Sequence, residues 1–232
     1  MKRSAFAVAA TAAALLASPS AAVAAPATHS SIFAGYVVSK PSAHIKNVTA
    51  TFEVPSITCE HELGGVGPSV LLYSKVNPRT GSHRTSGGGI GVACQNGAAF
   101  YQSVFIVNDK TVEGGLVTFT PGDVVVVSVR VTRAASTVTI DDTTTGVSRS
   151  HTGHGKVASQ SFIGDNAVNV DGVRGELNPF TKTRVTRVRI DGTPLGENHP
   201  DRFVWVRGGS TLVATSRLTA GENFTLTFRN GG

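Results

Sequence analysis

The chain has 232 residues, 40% of them apolar and only 6% aromatic, and its 21 Lys and Arg outnumber 15 Asp and Glu for a net charge of +6. That balance is basic without being extreme and comes with no recognition motif, which excludes nucleic acid as a partner. The length suits one domain, particularly an all-β one.

The N-terminus sets the compartment. Lys2 and Arg3 precede an Ala/Leu/Val run to about residue 17 and the small-residue triplet Ala22-Val23-Ala24, the pattern of a secretory signal peptide over residues 1–24. Its apolar run is shorter than the roughly 20 residues of a membrane helix, and no later stretch resembles one, so no membrane partner is expected. Cleavage after Ala24 leaves 208 residues, 25–232, as the single domain of a secreted protein, with a charge of +4 once Lys2 and Arg3 are gone. Cys59 and Cys94 then form an even count in an oxidising compartment and are read as one disulfide.

In chain order, residues 32–39 (IFAGYVVS) suit a first strand. Residues 48–54 alternate cleanly, Val48, Ala50, Phe52 and Val54 opposing Thr49, Thr51 and Glu53, until Pro55 ends the run. A glycine-rich loop over 61–68 leads to a strand at 70–73, and residues 77–89 read as a long polar loop containing Gly87, Gly88 and Gly89. Strands are expected at 100–107 and 116–119, then a Pro121-Gly122-Asp123 turn. Residues 124–131 (VVVVSVRV) are the clearest strand, with Val125, Val127, Val129 and Val131 on one face. Residues 138–141 pair with it across a connection at 132–137.

Residues 148–156 read as a loop holding His151 and His154, a solvated pair rather than a metal site because no third ligand accompanies them. Short strands at 159–163 and 168–170 follow, the second closed by an Asp171-Gly172 turn. Residues 184–190 set Thr186, Val188 and Ile190 against Val185, Arg187 and Arg189. Strands at 203–207 and 224–228 complete the set. The seven arginines from Arg184 to Arg229 are read as solvated strand faces and edge guards, the alternative being an anionic partner. No stretch beyond the signal peptide carries a helical period, so the chain is all-β: a two-sheet antiparallel β-sandwich of the concanavalin or lectin-like kind. Neither cofactor nor metal is expected, and without a GxSxG element a serine triad finds no support.

The order of several short motifs is more specific than the fold class. Gly35-Tyr36-Val37 is followed by a strand running into VPSITC (54–59), a second cysteine before Phe100-Tyr101, the Pro121-Gly122-Asp123 turn and VTIDDTTTG (138–146). Together these resemble the eqolisins, the glutamic-type endopeptidases. The resemblance implies a bent sandwich whose concave face is a substrate cleft. It also implies a catalytic dyad, in which a glutamate activates water and a glutamine helps hold the oxyanion. At the positions that match the family pattern this chain differs: Gly89 stands where the glutamine belongs, and Gln160 and Gly164 stand where the strand's two glutamates belong.

Three functional readings follow. In the first the protein is a noncatalytic relative whose cleft, faced by Gln102 and Tyr73, binds a peptide or extracellular polymer, and the protein is a monomer. In the second it is an active endopeptidase with a displaced dyad, Asp165 as base and Gln160 or Gln102 as polar partner, which requires a bulge at Gly164 to bring Asp165 to the cleft. In the third it is a secreted glycan- or wall-binding module, for which Trp205, the single tryptophan, is the natural aromatic platform.

Overall fold

The computed structural model describes residues 26–40, 44–61, 66–77, 82–112, 116–155, 157–167 and 177–229. The expected signal peptide, the strand at 168–170 and the turn at 171–172 lie outside them. Sixteen strands are described: β1 (Thr28–Ser30), β2 (Phe33–Ser39), β3 (Asn47–Glu53), β4 (Val66–Asn77), β5 (Ser82–Gln95), β6 (Ala98–Val107), β7 (Lys110–Thr111), β8 (Val124–Val131), β9 (Ala135–Asp142), β10 (Val147–His154), β11 (Gln160–Ala167), β12 (Thr183–Ile190), β13 (Thr193–Pro194), β14 (Asp201–Arg207), β15 (Ser210–Thr215) and β16 (Phe224–Phe228). A single 3-10 turn spans Leu195–Asn198.

The strands form an all-β antiparallel sandwich in one domain. Hydrogen bonding runs continuously in the order β10-β9-β8-β3-β12-β16-β15-β14-β2-β11-β4-β5-β6-β7, with β1 on β14 as a parallel addition and β13 on β12. The path doubles over, so that β3, β8 and β9 stack on β4, β5 and β6. Val48, Ala50, Phe52, Val125, Val127, Val129, Val138 and Ile140 point inward from one layer, and Ile90, Val92, Phe105 and Ile163 from the other, all 2% exposed or less. Burying side chains of this kind contributes about 1.5–3 kcal/mol each.

Four segments differ from expectation. Residues 82–95 are strand rather than loop, because the glycines sit in the sandwich instead of punctuating it. A Cβ added to Gly88 would lie 2.8 Å from Val138 Cγ1 and 3.2 Å from Ile140 Cδ1, so the opposite layer fills the space that a side chain would need. Residues 147–154 are likewise strand. All eight pair with β9, and Thr137–Thr152 and Thr139–Ser150 hydroxyl pairs at 3.0 Å replace apolar cross-strand contacts. In β12 a register shift between Thr186 and Arg189, with Arg187 at φ +53°, moves the inward phase by one residue. Val185 and Val188 therefore both bury, where strict alternation would separate them. Residues 116–119, expected as a strand, meet β6 only at an isolated bridge between Gln102 and Thr118, beside which the Val117 N–H donates to Ser103 Oγ at 2.9 Å.

Two interactions tie the layers together. The Cys59–Cys94 disulfide, with Cα atoms 5.7 Å apart, links the segment leaving β3 to the end of β5. Asn178, 4% exposed, clamps the same place: its Oδ1 accepts from the N–H groups of Glu60 and His61, and its Nδ2 donates to the His61 carbonyl and lies 3.3 Å from Cys94 Sγ. On the opposite flank Tyr36 packs edge-on to Phe224 and donates its hydroxyl to the Ser216 carbonyl at 2.9 Å. Burial raises the Tyr36 phenol above its usual pKa, against the opposing pull of Arg202 and Arg217.

Replacing both cysteines by alanine is expected to lower unfolding free energy in urea by about 4 kcal/mol, the chain-entropy value for a loop of this length. An unchanged midpoint would exclude a stapling role. Because the folded phenol holds its proton more tightly than the unfolded one, the stability that it confers is complete below about pH 10 and is lost as pH rises through the raised folded value. The stability slope above pH 10 should therefore flatten in Tyr36→Phe, measured by urea titration at successive pH values.

Candidate functional site

The face of β6 turned away from the core carries Gln102 and Val104, half-buried, while Tyr101, Ser103, Phe105 and Val107 turn inward. Lateral partners in a sheet share a face, so the register extends this outer face across six strands. Phe203 of β14, Gly35 of β2, Gly164 of β11, Ser69 of β4, Gly89 of β5 and Val104 of β6 form one continuous row. Gly164 and Gly89 are two strands apart in that row, about 10 Å at the usual strand spacing. Phe33 stands at one flank, its ring edge-on to Phe162 at 5.5 Å and to Phe203 at 6.0 Å.

The two glycines nearest those aromatics face each other across the β2–β11 ladder. Gly35 has φ +146° and Gly164 φ +154°, conformations that side chains rarely adopt. A Cβ on Gly164 would lie 2.1 Å from the Ala34 carbonyl oxygen, and one on Gly35 would lie 2.2 Å from the Ile163 carbonyl oxygen. Each glycine makes room for the other's strand. Gly91, further along β5, is covered instead by a side chain: its Cβ would meet Val104 Cγ2 at 2.5 Å.

The other candidates distribute unevenly. Gln160 lies on the outer face, half-buried, in a row with Ser39, Tyr73 and Thr85, and its Nε2 donates to Ser39 Oγ at 3.1 Å. It is four residues from Gly164, about 13 Å along the strand. Gln102 shares the face beside Gly91, with the exposed Phe100 two residues away on the same side. Tyr73 is placed by its backbone alone.

Asp165 points the other way. It is 3% exposed and lines a small inward cavity with Pro55, Ile57, Pro68, Val92, Leu177, Asn178 and Phe180, which leaves room for about one water molecule. β11 keeps unbroken register with both β2 and β4 through Gly164, so the bulge needed to turn Asp165 outward is absent. The structure does not bring Gln160 and Asp165 together, and that displaced dyad is corrected on this ground. Trp205 is corrected too as an exposed platform: it is 1% exposed and belongs to the core. Its aromatic size suited the interior, and sequence alone offered no sign of which side it faced. Among the described residues no cluster of three or more His, Cys, Asp or Glu is placed to hold a metal. Gly35 shapes the outer row and Asn178 lines the inward cavity beside Asp165, and neither role is legible locally in the sequence. The pairing of Gly35 with Gly164 depends on strand register, and the only local sign of Asn178 was an Asn-Pro dipeptide.

The sequence pattern of the Peptidase A4 family matches residues 31–168, more than half of the chain. The chain belongs to the Peptidase A4 family. Solved eqolisins share its fold. Scytalido-glutamic peptidase bound to a transition state analog inhibitor superposes with a TM-score of 0.68 at 14% identity, covering 86% of this chain and 98% of that one. SCP-B, an eqolisin in complex with the tripeptide Ala-Ile-His, gives 0.67 at 15% identity over the same shares. Aspergilloglutamic peptidase from Aspergillus niger gives 0.59 at 19% identity, covering 72% of this chain and 99% of that one. No curated protein matches in sequence. In this eqolisin-family chain, positions 89 and 164 share one face two strands apart, and both are glycine.

The glycine pair yields a direct test. Gly164→Ala should destabilise by more than the roughly 1–3 kcal/mol of an unfavourable backbone conformation alone, because the Ala34 carbonyl must also move. Gly146→Ala is the control, since Gly146 has φ +76° but open space around it. Equal urea midpoints for the two variants would remove the close-approach argument.

Proposed function

We propose that this protein is a secreted, noncatalytic member of the Peptidase A4 family whose outer sheet face binds an extended peptide or extracellular polymer. The observation that carries the reading is the Gly35–Gly164 contact. A glutamate at 164 would need both a backbone conformation other than φ +154° and displacement of the Ala34 carbonyl 2.1 Å from its Cβ. The carboxylate is thus missing from a backbone fitted to its absence. Its partner position across the row, Gly89, has no amide to stabilise an oxyanion.

Charge favours the same reading. With 21 Lys and Arg less Lys2 and Arg3, and with 7 His, the domain approaches +26 at pH 3 as its carboxylates neutralise. Self-repulsion on that scale works against a compact state in acid. The leader-like residues 1–24 and the Cys59–Cys94 bridge support secretion. Support for a peptide ligand comes from the tripeptide named in complex with SCP-B and from the apolar, aromatic-flanked floor.

The test is incubation of the protein with a denatured protein substrate across pH 2–7. No fragments are expected at any pH, and cleavage by the wild-type chain would overturn the proposal. The double substitution Gly89→Gln, Gly164→Glu is expected to yield a destabilised protein that still does not cleave.

A further inference from the structure

The outer face that carries Gly89 and Gly164 spans five adjacent strands. Its positions are every second residue over 33–39 of β2, 160–166 of β11, 67–73 of β4, 85–93 of β5 and 100–106 of β6. None of them is Asp, Glu, Lys, Arg or His, in a chain with 21 Lys and Arg and 15 Asp and Glu. Asp201 stands at the margin, beside Val37 on β14. The other layer differs, since its outward positions include Arg130, Asp141, Glu53, Arg184 and Arg189. Absence of charge therefore belongs to one face and not to the sheets of this chain in general.

In place of charge the face offers apolar groups with carboxamides between them. On β6, Phe100 is 42% exposed, Gln102 follows two residues later and Val104 two after that. Leu116, 41% exposed, lies two residues before Thr118, which bridges to Gln102. The Gln102 side-chain amide makes no hydrogen bond among the described residues. On β11, Gln160 and Phe162 again set a carboxamide beside an aromatic ring. Residues two apart on a strand are about 7 Å apart, which is also the spacing of alternate side chains in an extended peptide.

We propose that the ligand of this face is an electroneutral stretch of extended peptide whose contacting side chains are apolar and carboxamide, and that charged segments are excluded. This rests on the reading that the outer face binds a peptide. A ligand charge brought onto these strands loses hydration and meets no countercharge, whereas a ligand amide finds a donor and an acceptor in Gln102. A neutral glycan fits less well, because it lacks the apolar side chains that Phe100 and Leu116 would cover.

The probe is the blocked peptide acetyl-TLTQTLT-amide, compared with the same peptide carrying glutamate or lysine in place of glutamine. Affinity is measured at neutral pH in low and high salt, with hydrogen exchange reporting the site. The neutral peptide should slow exchange in β11 and β5, and its affinity should be the same at both salt concentrations. Both charged peptides should bind about tenfold more weakly, as one uncompensated charge partly removed from water requires. Gln102→Lys should strengthen binding of the glutamate peptide and weaken binding of the lysine peptide further. Equal affinity for all three peptides with the same protection, tighter wild-type binding of the glutamate peptide at low salt, or displacement of the peptide by dextran would each overturn this inference while leaving a ligand on the face. No binding by any of the three would overturn the peptide reading itself.

Discussion

A strand cannot send neighbouring side chains to the same side, and this alternation governs the molecule. Once Val125, Val127 and Val129 of one layer are committed to Ile90, Phe105 and Ile163 of the other, every intervening residue is committed outward. Asp165 follows Ile163 at a spacing of two and is therefore interior, whereas Gly164 is therefore exterior. The chemistry open to the site is settled by the core before any polar group is considered. A carboxylate one residue away from the right position is on the wrong side of the sheet.

The same commitment explains why the layers need so much glycine. Gly88 lets Val138 and Ile140 come down onto β5, while Gly35 and Gly164 let β2 and β11 press together at the outer row. These are different uses of a missing Cβ: one serves contact between layers, the other contact within a layer. The disulfide and the Asn178 clamp then hold β5 against the segment leaving β3, fixing the strand that carries Gly89.

Legibility in the sequence followed the strength of alternation. β3 and β8 were readable residue by residue because their inward positions are uniformly apolar. β5 and β10 were not, since the first carries glycine on both of its faces, at 87–89 and 91, and the second satisfies its neighbours through hydroxyls, and both compositions resemble loops. β12 was placed correctly, but its faces were not, because the bulge at Arg187 leaves no mark in the pattern. At the site, Gly89 and Gly164 are marked in the sequence only by the resemblance to the eqolisin pattern. That they share one row, and the Gly35 contact that shapes one of them, depend on register between strands distant in sequence.

The facing glycines of β2 and β11 also couple the two strands. Position by position the two strands cannot change alone. With Gly35 and Gly164 both at positive φ and each strand's carbonyl occupying the space beside the other's Cα, a side chain at either position requires coordinated change on two strands. The contact thus passes any substitution on β11 to β2, strands more than 120 residues apart in the chain.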